Sequence, residues 1–151
     1  MTARTRILGV DYGSVRIGLA VSDPDRKIAF PLATYTSSVR ERDAVYFHQL
    51  IETEEISEIV VGLPIHLSGG EGHKAAEARA FGQWLGATTG LPILFADERF
   101  TTVEAESALW TAGLTHKKRK QRRDRVAAQM LLQAYLDAGC PSEATLGPFD
   151  E

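Results

Sequence analysis

The chain has 151 residues, 44% apolar and 25% charged, with one cysteine and a net charge of −3. These values exclude a disordered, collagen-like or disulfide-stapled chain and leave room for one compact core. Residues Met1 to Arg6 lead straight into a strand-like run, and the longest uncharged stretch, Ala80 to Ala96, holds three glycines and Pro92 and falls short of the roughly 20 apolar residues of a membrane span. The expectation is a cytoplasmic protein with no membrane segment, a single domain over 1–139 and a flexible tail over 140–151.

In chain order, Thr5 to Val10 predicts a buried strand, and Asp11-Tyr12-Gly13-Ser14 a turn. Ile17 to Val21 resumes the strand pattern, so the two form an antiparallel hairpin, which a short strand over Lys27 to Phe30 extends to a meander before Pro31. Ala44, Phe47, Leu50 and Ile51 recur at helical spacing between Ser38 and Thr53. Ile56 to Leu63 is β-branched and nearly continuously apolar, as a strand covered on both faces should be. A loop over His66 to Gly72, an Ala-rich helix over His73 to Ala87 and a strand over Pro92 to Ala96 follow. Thr101 and Glu104 have capping-box spacing and open a helix that Gly113 ends; Val126, Ala127, Met130, Leu131, Ala134 and Tyr135 mark a last helix ending near Gly139. Strands alternating with helices in the second half predict an α/β fold, a mixed sheet with helices on both faces.

The charge is unevenly spread. Residues 117–125 carry seven of the 17 basic residues and one acid, a net +6, which leaves −9 for the remainder. Such a block is either a solvated helix start or a site for a polyanion. Three acids stand where the apolar pattern does not ask for them: Asp11 ends the first strand, Glu98 follows Ile93-Leu94-Phe95-Ala96-Asp97, and Asp124 precedes the last helix among cations. Singly, each is a turn former, a strand-end polar residue or a cap. Together, carboxylates converging at one end of a sheet repel one another unless a hard cation such as Mg²⁺ or Mn²⁺ joins them, and such ions support phosphodiester hydrolysis. The four histidines lack zinc spacing; Cys140 reads as an inert thiol, and Phe81, Trp84 and Trp110 as packing residues.

Gly9-Val10-Asp11-Tyr12-Gly13 with Ile17-Gly18-Leu19-Ala20-Val21-Ser22, then Ile59 to Pro64 with the Gly69-Gly70 loop, then Asp97-Glu98-Arg99-Phe100-Thr101-Thr102, and Asp124-Arg125-Val126-Ala127-Ala128 resemble, in order, the motifs of the YqgF/RuvX family. The resemblance implies an RNase H-like fold whose meander joins a five-stranded mixed sheet flanked by helices. It implies a nuclease of 5′-end maturation of 16S ribosomal RNA, with a Holliday-junction resolvase as the alternative role. The family's acidic triad falls on Asp11, Glu98 and Asp124, as catalytic and metal-holding residues for Mg²⁺ or Mn²⁺, with Asp97 a supporting neighbour and Arg99 a phosphate contact. Lys117, Lys118, Arg119, Lys120, Arg122 and Arg123 would hold the backbone of structured RNA or branched DNA, by a monomer or a homodimer. The strand ending Gly62-Leu63-Pro64 lacks the acid that many RNase H-like nucleases carry there, so Glu98 substitutes from the next strand and the metal count stays open between one and two. A non-catalytic RNA-binding ribosome-assembly factor using the basic block alone is the reading from another class.

Overall fold

The computed structural model describes residues 5–64, 72–97 and 115–141. Within them lie β1 (Arg6–Asp11), β2 (Arg16–Ser22), β3 (Ala29–Thr36), α1 (Arg40–Glu54), β4 (Ile56–Leu63), α2 (His73–Thr89), β5 (Ile93–Asp97) and α3 (His116–Asp137). The strands form one sheet in the order β3-β2-β1-β4-β5. The pairs β1/β2 and β2/β3 are antiparallel, and β1/β4 and β4/β5 parallel, which is the expected meander continued by crossover connections. The predicted helix over Thr101 to Gly113 and most of the tail lie outside the described residues. Among those described, no helix is long and apolar enough to cross a membrane.

Two boundaries differ from the sequence expectation. β3 starts at Ala29 and runs through Pro31 to Thr36. Proline cannot donate to a ladder, but β3 is an edge strand with one side unpaired, and the register shifts between Leu19 and Ala20 where Pro31 pairs. The last helix starts at His116, so the basic block and Asp124 lie inside it. Lys, Arg and Gln are good helix formers, and the Thr115 side chain caps the helix by accepting from the Lys118 amide.

Alternation along the strands sorts the core into two layers. Leu8, Val10, Ile17, Leu19, Val61 and Leu63 pack with Phe47 and Ile51 of α1 and Phe81 and Leu85 of α2. On the opposite face Ile7, Ala20, Val60 and Ala96 pack with Ala128, Leu131, Leu132 and Tyr135 of α3. α3 approaches the sheet closely because the strands offer glycines there. A Cβ on Gly9 would meet the Leu132 Cβ at 2.9 Å, and one on Gly18 would overlap the Asp124 carbonyl oxygen. Side-chain hydrogen bonds tie the helix to the edge strand as well. Gln133 accepts from the Ala29 amide at 2.9 Å, and the Thr34 hydroxyl donates to the Gln121 carbonyl.

A buried carboxylate fixes the entry to α1. Asp43 is 1% exposed and accepts from the Tyr35 hydroxyl (2.6 Å), the Ser37 hydroxyl (2.8 Å) and the Ser38 amide (2.9 Å). Burial pushes its carboxyl up, but the three donors outweigh that and hold it below the usual carboxylate range. Burial and the Asp43 hydrogen bond push the Tyr35 hydroxyl up to about 12.

Gly18→Ala must push α3 off the sheet, and urea unfolding is expected to show a loss of about 1–3 kcal/mol. Because Asp43 is depressed in the fold, its contribution is complete above the unfolded carboxyl range near pH 4 and is lost as pH falls through the folded value. Tyr35, raised in the fold, contributes below about pH 10 and loses its contribution as pH climbs toward 12. Urea titrations of wild type and Asp43→Asn are expected to differ by about 1.5–3 kcal/mol at pH 7, with the gap closing toward pH 3.

Candidate nucleic-acid cleavage site

β1 ends at Asp11, and the turn to β2 follows at once. Tyr12 stacks on Phe81 of α2 with ring centroids 4.7 Å apart, and the Ser37 amide donates to the Val15 carbonyl at 2.9 Å, so the turn is held from both sides. Asp11 is the register partner of Gly18 across the β1/β2 pair. Since Gly18 lies directly under the backbone of Asp124, the end of β1 and the middle of α3 meet. Both carboxylates line one cavity of about 450 Å³, together with Tyr12 to Arg16, Pro64, and Lys74 and Glu77 of α2.

The Arg16 Nε donates to Asp124 Oδ2 at 2.7 Å in a partly buried ion pair. Glu77 is bridged to His73 one turn earlier, at 2.9 Å. Asp11 and Asp124 are thus brought to one cavity. Glu98 and Arg99 lie outside the described residues. Asp97, 4% exposed, ends β5 opposite Leu63 and does not line the cavity. Ile93 and Phe95 pack in the α1/α2 layer and Leu94 and Ala96 in or against the α3 layer, so position 97 falls on the α1/α2 side.

Lys117, Lys118, Arg119, Lys120, Arg122 and Arg123 all fall on the first half of α3, where no residue before Val126 is buried. They lie outside the cavity lining, in the turns N-terminal to Asp124. The first turn of α3 contains no acid. Cations at the positive end of a helix dipole are unfavourable by about 0.3–1 kcal/mol each, and an anionic partner relieves that repulsion. Cys140 is a free thiol that burial pushes up, so it keeps its proton at neutral pH.

Sequence reasoning did not single out Arg16, Lys74 or Glu77. Arg16 stands between the Asp11 to Ser14 turn and the strand pattern that resumes at Ile17; Lys74 and Glu77, three apart in the first turns of the Ala-rich helix, look like ordinary surface charges. Among the described residues no three His, Cys, Asp or Glu side chains are grouped closely enough to hold a metal.

A protein of Rhodopirellula baltica named "Putative pre-16S rRNA nuclease" is 52% identical over 136 residues, covering 90% of this chain and 79% of that protein. One of the same name from Protochlamydia amoebophila is 46% identical over 143 residues, covering 90% and 95%. Among solved structures, the chain resembles RuvC of T. thermophilus in complex with a Holliday junction substrate, with a TM-score of 0.57 at 15% identity over 91% of this chain and 97% of that one. It also resembles the Fowlpox virus resolvase in complex with substrate Holliday junction DNA, with a TM-score of 0.55 at 11% identity over 90% and 99%. At these identities the likeness shows the fold, and the fold is the RNase H-like one expected. The family model described as "RuvX: Holliday junction resolvase" matches residues 5–138, and with relatives of this identity along nearly the whole chain the protein belongs to the RuvX family.

Proposed function

We propose that the protein is a metal-dependent nuclease that hydrolyses phosphodiester bonds in the 5′-end maturation of pre-16S ribosomal RNA in the cytoplasm. The observation that carries this reading is the meeting of Asp11 and Asp124 in one cavity, with the turns of α3 that lead to Asp124 crowded with cations. The names of the close relatives support the substrate.

The donor chemistry fits Mg²⁺ or Mn²⁺, since the cavity offers carboxylates and neither His nor Cys. In this reading Asp11 and Asp124 would hold the ion from β1 and α3. Glu98, by the family resemblance, would complete the set, with Asp97 beside it as a supporting neighbour. A bound ion of this class offsets charge on the scissile phosphate and makes a water more acidic. The remaining work belongs to the chain. Lys117, Lys118, Arg119, Lys120, Arg122 and Arg123, with Arg99, neutralise the phosphates on either side of the cleaved bond and hold the strand against the carboxylates.

A second reading, a resolvase acting on four-way DNA junctions, is favoured by the family's description and by the fold it shares with junction-binding resolvases. It makes a structural demand that RNA cleavage does not. Two strands must be cut, so a homodimer presenting two copies of the site is needed, whereas a monomer suffices for RNA.

Labelled single-stranded RNA and a four-way DNA junction, incubated in parallel with Mn²⁺, Mg²⁺ or EDTA, test both readings. Cleavage is expected only with metal and is expected to fall by at least about 10²-fold in Asp11→Asn, the loss of some 3 kcal/mol of transition-state stabilisation. The faster substrate decides between the roles; salt-dependent binding of both without any cleavage would favour the assembly factor. Replacing Lys117 and Lys118 by Gln is expected to weaken binding alike for all sequences, and to reduce the slope of log K against log[salt] by about 0.7–0.9 per residue.

A further inference from the structure

We infer that Arg16 is a phosphate-holding residue of this site, its Nε anchored on Asp124 and its two terminal amino groups offered to the substrate strand; the inference deepens the nuclease reading and rests on it. The anchor is the 2.7 Å hydrogen bond from Nε to Asp124 Oδ2. Among the described residues this is the guanidinium's one hydrogen bond, and the side chain, 29% exposed, lines the cavity. An arginine has five N–H donors, so four are unspent here, and none of them is buried without a partner.

Arg26 shows what a purely structural arginine looks like in the same protein. Its Nε donates to the Thr5 carbonyl, one terminal nitrogen to Glu58 and the other to Ser57, which engages all three nitrogens. Arg16 spends only the nitrogen nearest its stem and keeps the planar fork that matches two oxygens of a phosphate.

The charges around it give the fork a task. Asp11, Glu77 and Asp124 line the cavity and would repel a phosphodiester, and the cations lining it are Arg16 and Lys74. A guanidinium already held at one edge loses little conformational freedom when it binds. The same bond leaves Asp124 Oδ1 without a hydrogen-bond partner among the described residues, so one oxygen is oriented while the other stays open for a cation.

The test is equilibrium binding of labelled single-stranded RNA and of a four-way DNA junction, by fluorescence anisotropy across a KCl series in EDTA and in Ca²⁺, for wild type, Arg16→Gln and Arg16→Lys, with thermal unfolding of each. Arg16→Gln is expected to bind about 10-fold more weakly and to reduce the salt slope by about 0.7–0.9, the loss of one phosphate contact. Arg16→Lys keeps the charge and the slope but is expected to lose several-fold in affinity, because an ammonium has no planar fork to present two aligned donors to a phosphate while a separate nitrogen stays bonded to Asp124. A residue that only braces Asp124 would alter the melting temperature and leave the slope unchanged. A wild-type slope in Arg16→Gln, or wild-type affinity in Arg16→Lys, overturns the assignment. If wild type binds but cleaves neither probe while the slope falls in Arg16→Gln, the nuclease reading fails and the Arg16 contact stands.

Discussion

The structure depends on how closely α3 lies against the β1/β2 pair. A helix normally stands off a sheet by the thickness of two layers of side chains, but at Gly18 the backbone of Asp124 occupies the space a side chain would fill. Gly18 is also the register partner of Asp11. The absence of one Cβ therefore sets how near the two carboxylates come, and the site is a consequence of helix–sheet packing before it is one of side-chain chemistry. Gly9 repeats the device one to two turns further along the helix, under Ala128 and Leu132, so the approach continues into the buried half of α3.

α3 performs two tasks that conflict energetically. Its second half buries Leu131, Leu132 and Tyr135 against the sheet and contributes to the core. The stretch before Val126 has no buried residue and carries like charges at the positive end of the dipole, where they weaken the helix. The Thr115 cap, the contact of Thr34 with the Gln121 carbonyl and the Arg16–Asp124 pair hold the first half in place. Stability from one end is thus spent on presenting a cationic surface at the other, the arrangement expected where a polyanion is the partner. The buttress continues beneath the β1–β2 turn, where Asp43 orders the segment whose Ser37 amide holds Val15.

The end of β4 explains why this site is built differently from one with an acid on that strand. Leu63 belongs to the α1/α2 core and Pro64 lines the cavity, so β4 offers a wall and no carboxylate. The α2 helix instead brings Glu77 and Lys74 to the same cavity. The RNA and DNA readings share this geometry because both substrates present the same phosphates; they part on base readout and on the number of sites needed.

Much of the architecture was legible in the residues. The short, nearly continuous apolar runs of Ile7 to Val10, Ile17 to Val21 and Ile59 to Leu63 determine strands, and the order of elements determines a mixed sheet, because these local patterns are written in the chain itself. Asp11 and Asp124 were visible because each interrupts a pattern, and the motifs around them carry the family resemblance. The course of β3 through Pro31 was not legible, since an edge strand tolerates proline only once its neighbours are known. Nor was the early start of α3, because ten residues with no apolar face give periodicity nothing to register. The roles of Gly18, Arg16, Lys74, Glu77 and Asp43 were decided by tertiary structure alone. Arg16 depends on Asp124, 108 positions away, and Gly18 on the same residue's backbone, while Asp43 depends on Tyr35 across the β3–α1 connection; these partners come near only when the sheet and its helices have packed, and no local spacing encodes that.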